Sequence, residues 1–120
     1  MFLPEPRVRI WLCTEPCDMR KSYDGLCALV SLLGEVPTSG QLFVFINRRK
    51  TQLKILYFQS SGYCLWCHRL EQGQFNHSLN HPRSALDKHL LNWQQLRLLV
   101  EGLKIEKARQ FKRFSCIDPS

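Results

Sequence analysis

Acidic residues are scarce in this chain. Ten Asp and Glu stand against seventeen Lys and Arg, which leaves a formal net charge of +7. Long apolar runs are missing too. The longest run to five residues, Leu42 to Ile46 among them, and fall far short of the ~20 residues that cross a bilayer. The opening Met-Phe-Leu-Pro-Glu-Pro-Arg is interrupted by prolines and offers no signal-peptide core, so a cytoplasmic chain is expected. The sequence has no Gly-rich phosphate loop, no Ser-His-Asp or Cys-His arrangement, no internal repeat and no low-complexity tract. At 120 residues it carries one modest core and no second large domain. Together these absences exclude an integral membrane protein, a secreted disulfide miniprotein and a large multidomain enzyme.

What is present reads as globular: 44% hydrophobic and 22% charged residues. A pI near 9.4 favours a polyanionic partner, because excess positive charge concentrates polyanions and speeds their capture. The six cysteines, Cys13, Cys17, Cys27, Cys64, Cys67 and Cys116, are expected as thiols in a reducing compartment.

Val8 to Cys13 is rich in β-branched and aromatic residues and predicts a first strand, ended by Glu15-Pro16. Asp18 or Ser22 caps a helix whose apolar face is Leu26, Leu29, Val30 and Leu33, with Gly34 at its C-terminus. Leu42 to Ile46, Leu53 to Phe58 and Tyr63 to Glu71 predict three strands joined as antiparallel hairpins, the first of them central. Gln72-Gly73 turns into a short further piece around Phe75, and residues 76–88 read as a long loop. Asn92 with Gln95 forms a capping-box variant, with Leu91 and Leu96 as its apolar staple. Leu96, Leu99, Val100 and Leu103 give a second amphipathic helix ending at Gly102. The expected architecture is α+β: a small, mostly antiparallel sheet of about four strands with two helices on one face. Residues 1–103 form the domain, and 104–120 a basic C-terminal arm.

Cys64-Leu-Trp-Cys67-His68 matches a haem-attachment pattern, and Cys13 and Cys17 have zinc-like spacing. On a strand, however, Cys64 and Cys67 point to opposite faces. The second pair straddles Pro16, so structural thiols are the preferred reading and no cofactor or metal is assigned. His68, His77, His81 and His89 have no ligand spacing. Asp18, Asp24, Glu71 and Glu101 form no spacing motif for a two-metal nuclease, which is kept only as a remote alternative. No catalytic residue is named, and the chain is read as a non-enzyme.

The cations are better organised. Arg48-Arg49-Lys50 falls at a hairpin tip, where long side chains can reach a phosphate backbone. Arg20-Lys21 opens the first helix, and Lys54 and Arg69 extend the surface if they share its face. Lys104, Lys107, Arg109, Lys112 and Arg113, with Phe111 and Phe114 interleaved, make up the basic arm.

Several stretches carry a family resemblance. Asp18-Met-Arg-Lys-Ser-Tyr-Asp-Gly-Leu26 is similar to a D-M-R-K-G-F-D-G-L signature. Gly40-Gln-Leu-Phe-Val-Phe-Ile-Asn-Arg-Arg49 and Leu53-Lys-Ile-Leu-Tyr57 resemble a G-x-L-F-V-F-x-N-R-R…L-K-I-L-Y core. Gly62-Tyr-Cys-Leu-Trp66 and Arg69-Leu-Glu-Gln-Gly-Gln-Phe75 resemble its G-x-x-L-W…R-L-E-x-G-x-F stretch, and Leu96 to Leu103 its closing helix. The pattern is that of the TnpB or Orf2-like accessory proteins of bacterial insertion sequences of the "sixty-six" family. Ser22 departs from it where Gly is usual, and Lys50-Thr51 replaces a more Gly- or Asp-like turn. Cys13, Cys17, Cys67 and Cys116 are not part of it.

The resemblance implies a helper in transposition, a form of DNA recombination, encoded beside a separate transposase and a second accessory protein. It supplies no catalytic residue. Expected partners are therefore DNA at the element ends and those two proteins, with no membrane. The alternative is a protein–protein adaptor using Trp11, Trp66 or Trp93.

Overall fold

The structure, a computed structural model, describes residues 8–75 and 88–101. Its elements are β1 (Ile10–Cys13), α1 (Tyr23–Leu32), β2 (Leu42–Ile46), β3 (Gln52–Gln59), β4 (Gly62–Arg69), β5 (Lys88–Leu91) and α2 (Trp93–Glu101). The strands form one five-stranded sheet in the order β4-β3-β2-β1-β5. Only β1 and β2 run parallel; the other pairs are antiparallel. A parallel pair needs a crossover, and α1 lies within it. The α+β class and the mostly antiparallel sheet expected from the sequence are both present. No described helix is long and apolar enough to cross a membrane.

β2 reads Leu-Phe-Val-Phe-Ile, and all five residues are buried. Because side chains alternate along a strand, both of its faces need cover. Leu42, Val44 and Ile46 join Ile10, Leu12, Leu53, Ile55 and Phe75 in a core closed by Leu96 and Leu99 of α2. Phe43 and Phe45 join Leu56 in a second core closed by Leu26 and Val30 of α1. The expectation of two helices on one face is thereby corrected: the helices cover opposite faces. The cause is the unbroken apolar run in β2, which would leave Phe43 and Phe45 in water if both helices sat together.

The strand count is corrected as well, from about four to five. Residues 76–87 lie outside the described residues, but Lys88–Leu91 is a strand where the loop reading ended. Its Lys-His-Leu-Leu sequence has no β-branched residue, so pairing with β1 makes the strand, not propensity.

Two local signals, the close of α1 and the cap of α2, are present as expected. α1 closes with Gly34 at φ +84°, where the missing Cβ permits the left-handed turn. Glu35 N–H then donates to Val30 C=O (3.1 Å) and Gly34 N–H to Ser31 C=O (3.0 Å), a Schellman closure. At α2, Gln95 N–H donates to Asn92 Oδ1 and Asn92 N–H to Gln95 Oε1, both at 2.8 Å, the reciprocal capping box. The expected helix end at Gly102 and Leu103 lies outside the described residues. So does the arm with Lys104, Lys107, Arg109, Phe111, Lys112, Arg113, Phe114 and Cys116.

One largely buried ion pair ties β5 to the C-terminus of α1. Lys88 Nζ meets Glu35 Oε2, donates to Leu33 C=O (2.9 Å) and lies 4.7 Å from the centre of the Trp11 ring. Gln41 continues the network, donating to Glu35 Oε1 (3.3 Å) and accepting from the Trp11 indole N–H (2.7 Å). The ammonium at the carbonyl end of α1 also complements the helix dipole. The Lys88 hydrogen bond holds the Glu35 carboxyl below its ordinary pKa.

Two stability predictions follow from this packing. Leu26→Ala, at a side chain with 0% exposure, should cost about 2–5 kcal/mol by denaturant unfolding, whereas Leu32→Ala, 82% exposed, should change stability by less than about 0.5 kcal/mol. Glu35→Ala should cost about 3 kcal/mol by stranding the Lys88 charge, and adding Lys88→Met should recover most of that loss.

Candidate nucleic-acid interface

Parallel pairing places the C-terminal ends of β1 and β2 at one end of the sheet. Two connections meet there: residues 14–22, leading into α1, and residues 47–51, joining β2 to β3. A hydrogen bond from Cys17 N–H to Ile46 C=O (2.9 Å) holds the first connection against the start of the second. Pairing of Gln52 with Arg69 brings the end of β4 to the same place. The described cations among those named from sequence thus fall in one region, but they are not equivalent.

The β2–β3 tip is built around Asn47. Its Oδ1 accepts from the N–H groups of Thr51 (2.9 Å) and Gln52 (3.0 Å), and its Nδ2 donates to Thr51 Oγ1 (3.2 Å). Lys50 N–H donates to Asn47 C=O (3.0 Å) and closes the turn. The segment after β4 folds back beneath it. Gln74 Nε2 donates to Arg49 C=O (2.9 Å), and Phe75 N–H to Lys50 C=O (2.6 Å). Phe75 is anchored in the core with 0% exposure. The backbone of the tip is therefore fixed from two sides, while Arg48, Arg49 and Lys50 project as exposed side chains. No carboxylate among the described residues is paired with any of the three.

Lys50 adopts φ +61°, a left-handed conformation that costs a residue with a Cβ about 1–2 kcal/mol and costs glycine little. The departure noted in the sequence, Lys50 in a turn that usually has Gly or Asp, is real backbone strain.

The remaining cations are partly committed elsewhere. Arg20 forms a two-pronged pair with Asp18: Nη2 to Oδ2 at 2.8 Å and Nε to Oδ1 at 3.1 Å. Asp18 Oδ1 also accepts from Arg20 N–H (2.9 Å). Asp18 thus caps its own turn, while Ser22 occupies the α1 cap position without a side-chain cap bond. These bonds hold the Asp18 carboxyl at about 2 and raise the Arg20 pKa.

Lys54 lies on the α1 face of β3, opposite Phe45, and its ammonium donates to Met19 C=O and Lys21 C=O, both at 2.8 Å. Two of its three donors hold the entry to α1. Arg69 meets Glu71 at 3.6 Å, but both side chains are largely exposed and the pair is weak. Lys21 is exposed.

Cys64 faces Tyr57 and Cys67 faces Lys54 across the β3–β4 ladder, so they lie on opposite faces, as their odd spacing requires. Burial, then the neighbouring Cys13, pushes the Cys17 thiol up to about 11, and it stays protonated at neutral pH. His68 stacks on Trp66 with ring centres 5.4 Å apart and lies 5.8 Å from Phe75. His77 and His81 lie outside the described residues. Among the described residues no three His, Cys, Asp or Glu side chains gather as a metal site. Sequence reading missed the brace from Gln74 and Phe75. Its one local trace is a lone aromatic after a polar Gln-Gly-Gln run.

Comparison with known proteins adds an independent line. Residues 8–110 match the family described as IS66 Orf2 like protein. Two proteins of Sinorhizobium fredii are similar, both named as uncharacterized: y4jC, 40% identical over 76 residues, and y4hO, 38% identical over 69. The matches cover 62% and 57% of this chain, and 65% and 60% of those proteins, so the chain spans less than two thirds of the relatives' length. No solved structure matches.

The turn at Asp18 yields a pH prediction. Its folded pKa, about 2, lies below the ordinary 3.8, so its stabilisation is complete above about pH 4 and is lost as pH falls toward 2. The Arg20 amide proton resonance should hold its position down to about pH 3 and move with a midpoint near 2. A midpoint at 3.8 would show that the Asp18–Arg20 turn does not form.

Proposed function

The chain belongs to the IS66 Orf2-like family, and from that premise we propose that it is a non-catalytic insertion-sequence accessory protein contacting DNA through the β2–β3 tip. The observation that carries this reading is the tip itself. Arg48, Arg49 and Lys50 are three consecutive exposed cations without an acidic partner among the described residues, on a backbone braced by Asn47, Gln74 and Phe75. A fixed tip loses little conformational freedom on binding, so its charges meet phosphates at low entropic cost. The strained Lys50 fits the same reading, because a cation is kept where glycine would be more stable.

Arg69 and Lys21 extend the surface. Lys54 adds charge while holding the α1 entry, and Arg20, neutralised by Asp18, contributes least. Such contacts are of the backbone type and carry little sequence information. Element ends, the separate transposase and the second accessory protein are the partners this role calls for.

A second reading, an adaptor docking on the transposase, draws on Leu98 (53% exposed) and Trp93 (38%) on α2. Co-purification with transposase that survives nuclease treatment and is abolished by Leu98→Glu would favour it. Trp11 and Trp66 are half-buried, Trp11 bonded to Gln41 and Trp66 stacked on His68, and both suit structural roles better.

The test of DNA contact is duplex binding by the full chain, measured as mobility shifts over a salt series. Arg48→Ala with Arg49→Ala should weaken binding and reduce the log–log salt slope by about 2. Lys50→Gly should separate the two effects of that residue, raising stability by about 1 kcal/mol while weakening binding. Absence of any shift at low salt would overturn the reading.

A further inference from the structure

We propose that the exposed β4 edge beside α1, from Arg69 to Tyr63, is a binding track for single-stranded DNA, with Tyr63 and Tyr23 as base-stacking platforms. The inference rests on the DNA-contact reading above and names the form of DNA it accepts.

The ladder sets the order of groups along this edge. Gln52 pairs with Arg69, Lys54 with Cys67, Leu56 with Leu65 and Phe58 with Tyr63. From Gln52 to Phe58 the strand advances about 20 Å at ~3.4 Å per residue. Arg69 and the Lys54 ammonium stand near the end that carries Arg48, Arg49 and Lys50, and Tyr63 stands at the other.

Tyr63 is held in place yet open to solvent. Its ring packs edge-on against Phe58, with centres 5.1 Å apart and planes at 70°, and the neighbouring Cys27 of α1 raises its hydroxyl's pKa. It nevertheless keeps 36% of its surface exposed. Tyr23, 43% exposed, lies one helical turn before Cys27 and so borders the same flank, and Lys21 stands at its head. Cations gathered at one end of a strand edge, with oriented aromatic rings farther along it, are the two components of a single-strand site. A duplex could use the cations but not the rings, since its base faces are already stacked. Asp24, in the first turn of α1, places one opposing charge on this flank.

Fluorescence anisotropy of the full chain tests the track, using labelled oligothymidine of about twelve nucleotides and a duplex of equal length at fixed low salt. The single strand should bind more tightly than the duplex. Tyr63→Ala and Tyr23→Ala should each weaken single-strand binding about tenfold and duplex binding less than about twofold. Tyr63→Phe, which keeps the ring, should retain binding, and Asp24→Asn should tighten it. Tyr23 is exposed, so its substitution tests the track even if Tyr63→Ala disturbs the sheet edge. Equal affinity for both DNA forms with both tyrosine variants unaffected would overturn the track. Loss of duplex binding on Arg48→Ala with Arg49→Ala would then leave the DNA reading standing. Binding to neither form would overturn both.

Discussion

The fold depends on one constraint: β2 is apolar on both faces. Phe43 and Phe45 point one way, and Leu42, Val44 and Ile46 the other. Neither set can remain in water, so the sheet must be a middle layer. α1 reaches the first face within the β1–β2 crossover, and α2 covers the second after the chain has added β5. Each helix brings two buried residues to its side, Leu26 and Val30 or Leu96 and Leu99.

The candidate interface grows from the same arrangement. With β1 and β2 parallel, their C-terminal ends and both following connections share one end of the sheet. Polar side chains then do the local work. Asn47 shapes the tip, Gln74 braces it, Lys54 holds the α1 entry and Asp18 folds its own turn. The tip cations are among the charges these tasks leave over, and this division distinguishes a surface that can meet phosphate from one spent on the fold. Formal net charge alone does not make that distinction: Arg20 and Lys54 count toward +7 as fully as Arg48 does.

Much of the local structure was legible because its signals are short-range. Gly34 closes α1, and Asn92 and Gln95 cap α2, through contacts within a few residues, and the unbroken apolar run from Leu42 to Ile46 marks the central strand. The opposite faces of Cys64 and Cys67 likewise follow from strand periodicity. β5 was not legible, because four residues without β-branching become a strand only when β1 offers a partner. The placement of α1 and α2 was missed for a similar reason. Amphipathic periodicity says that a helix has a buried face, not which side of a sheet receives it.

The sequence by itself determined the α+β class, the hairpin carrying Arg48, Arg49 and Lys50, the helix caps and the family resemblance, all encoded in contiguous residues. Tertiary structure alone decided that the helices lie on opposite faces, that Lys88 and Glu35 pair, and that Gln74 and Phe75 brace the tip. It also decided which cations stay unpaired among the described residues. The physical reason is distance along the chain. Lys88 and Glu35, or Gln74 and Arg49, are brought together by the sheet, and no local pattern in either segment announces its partner.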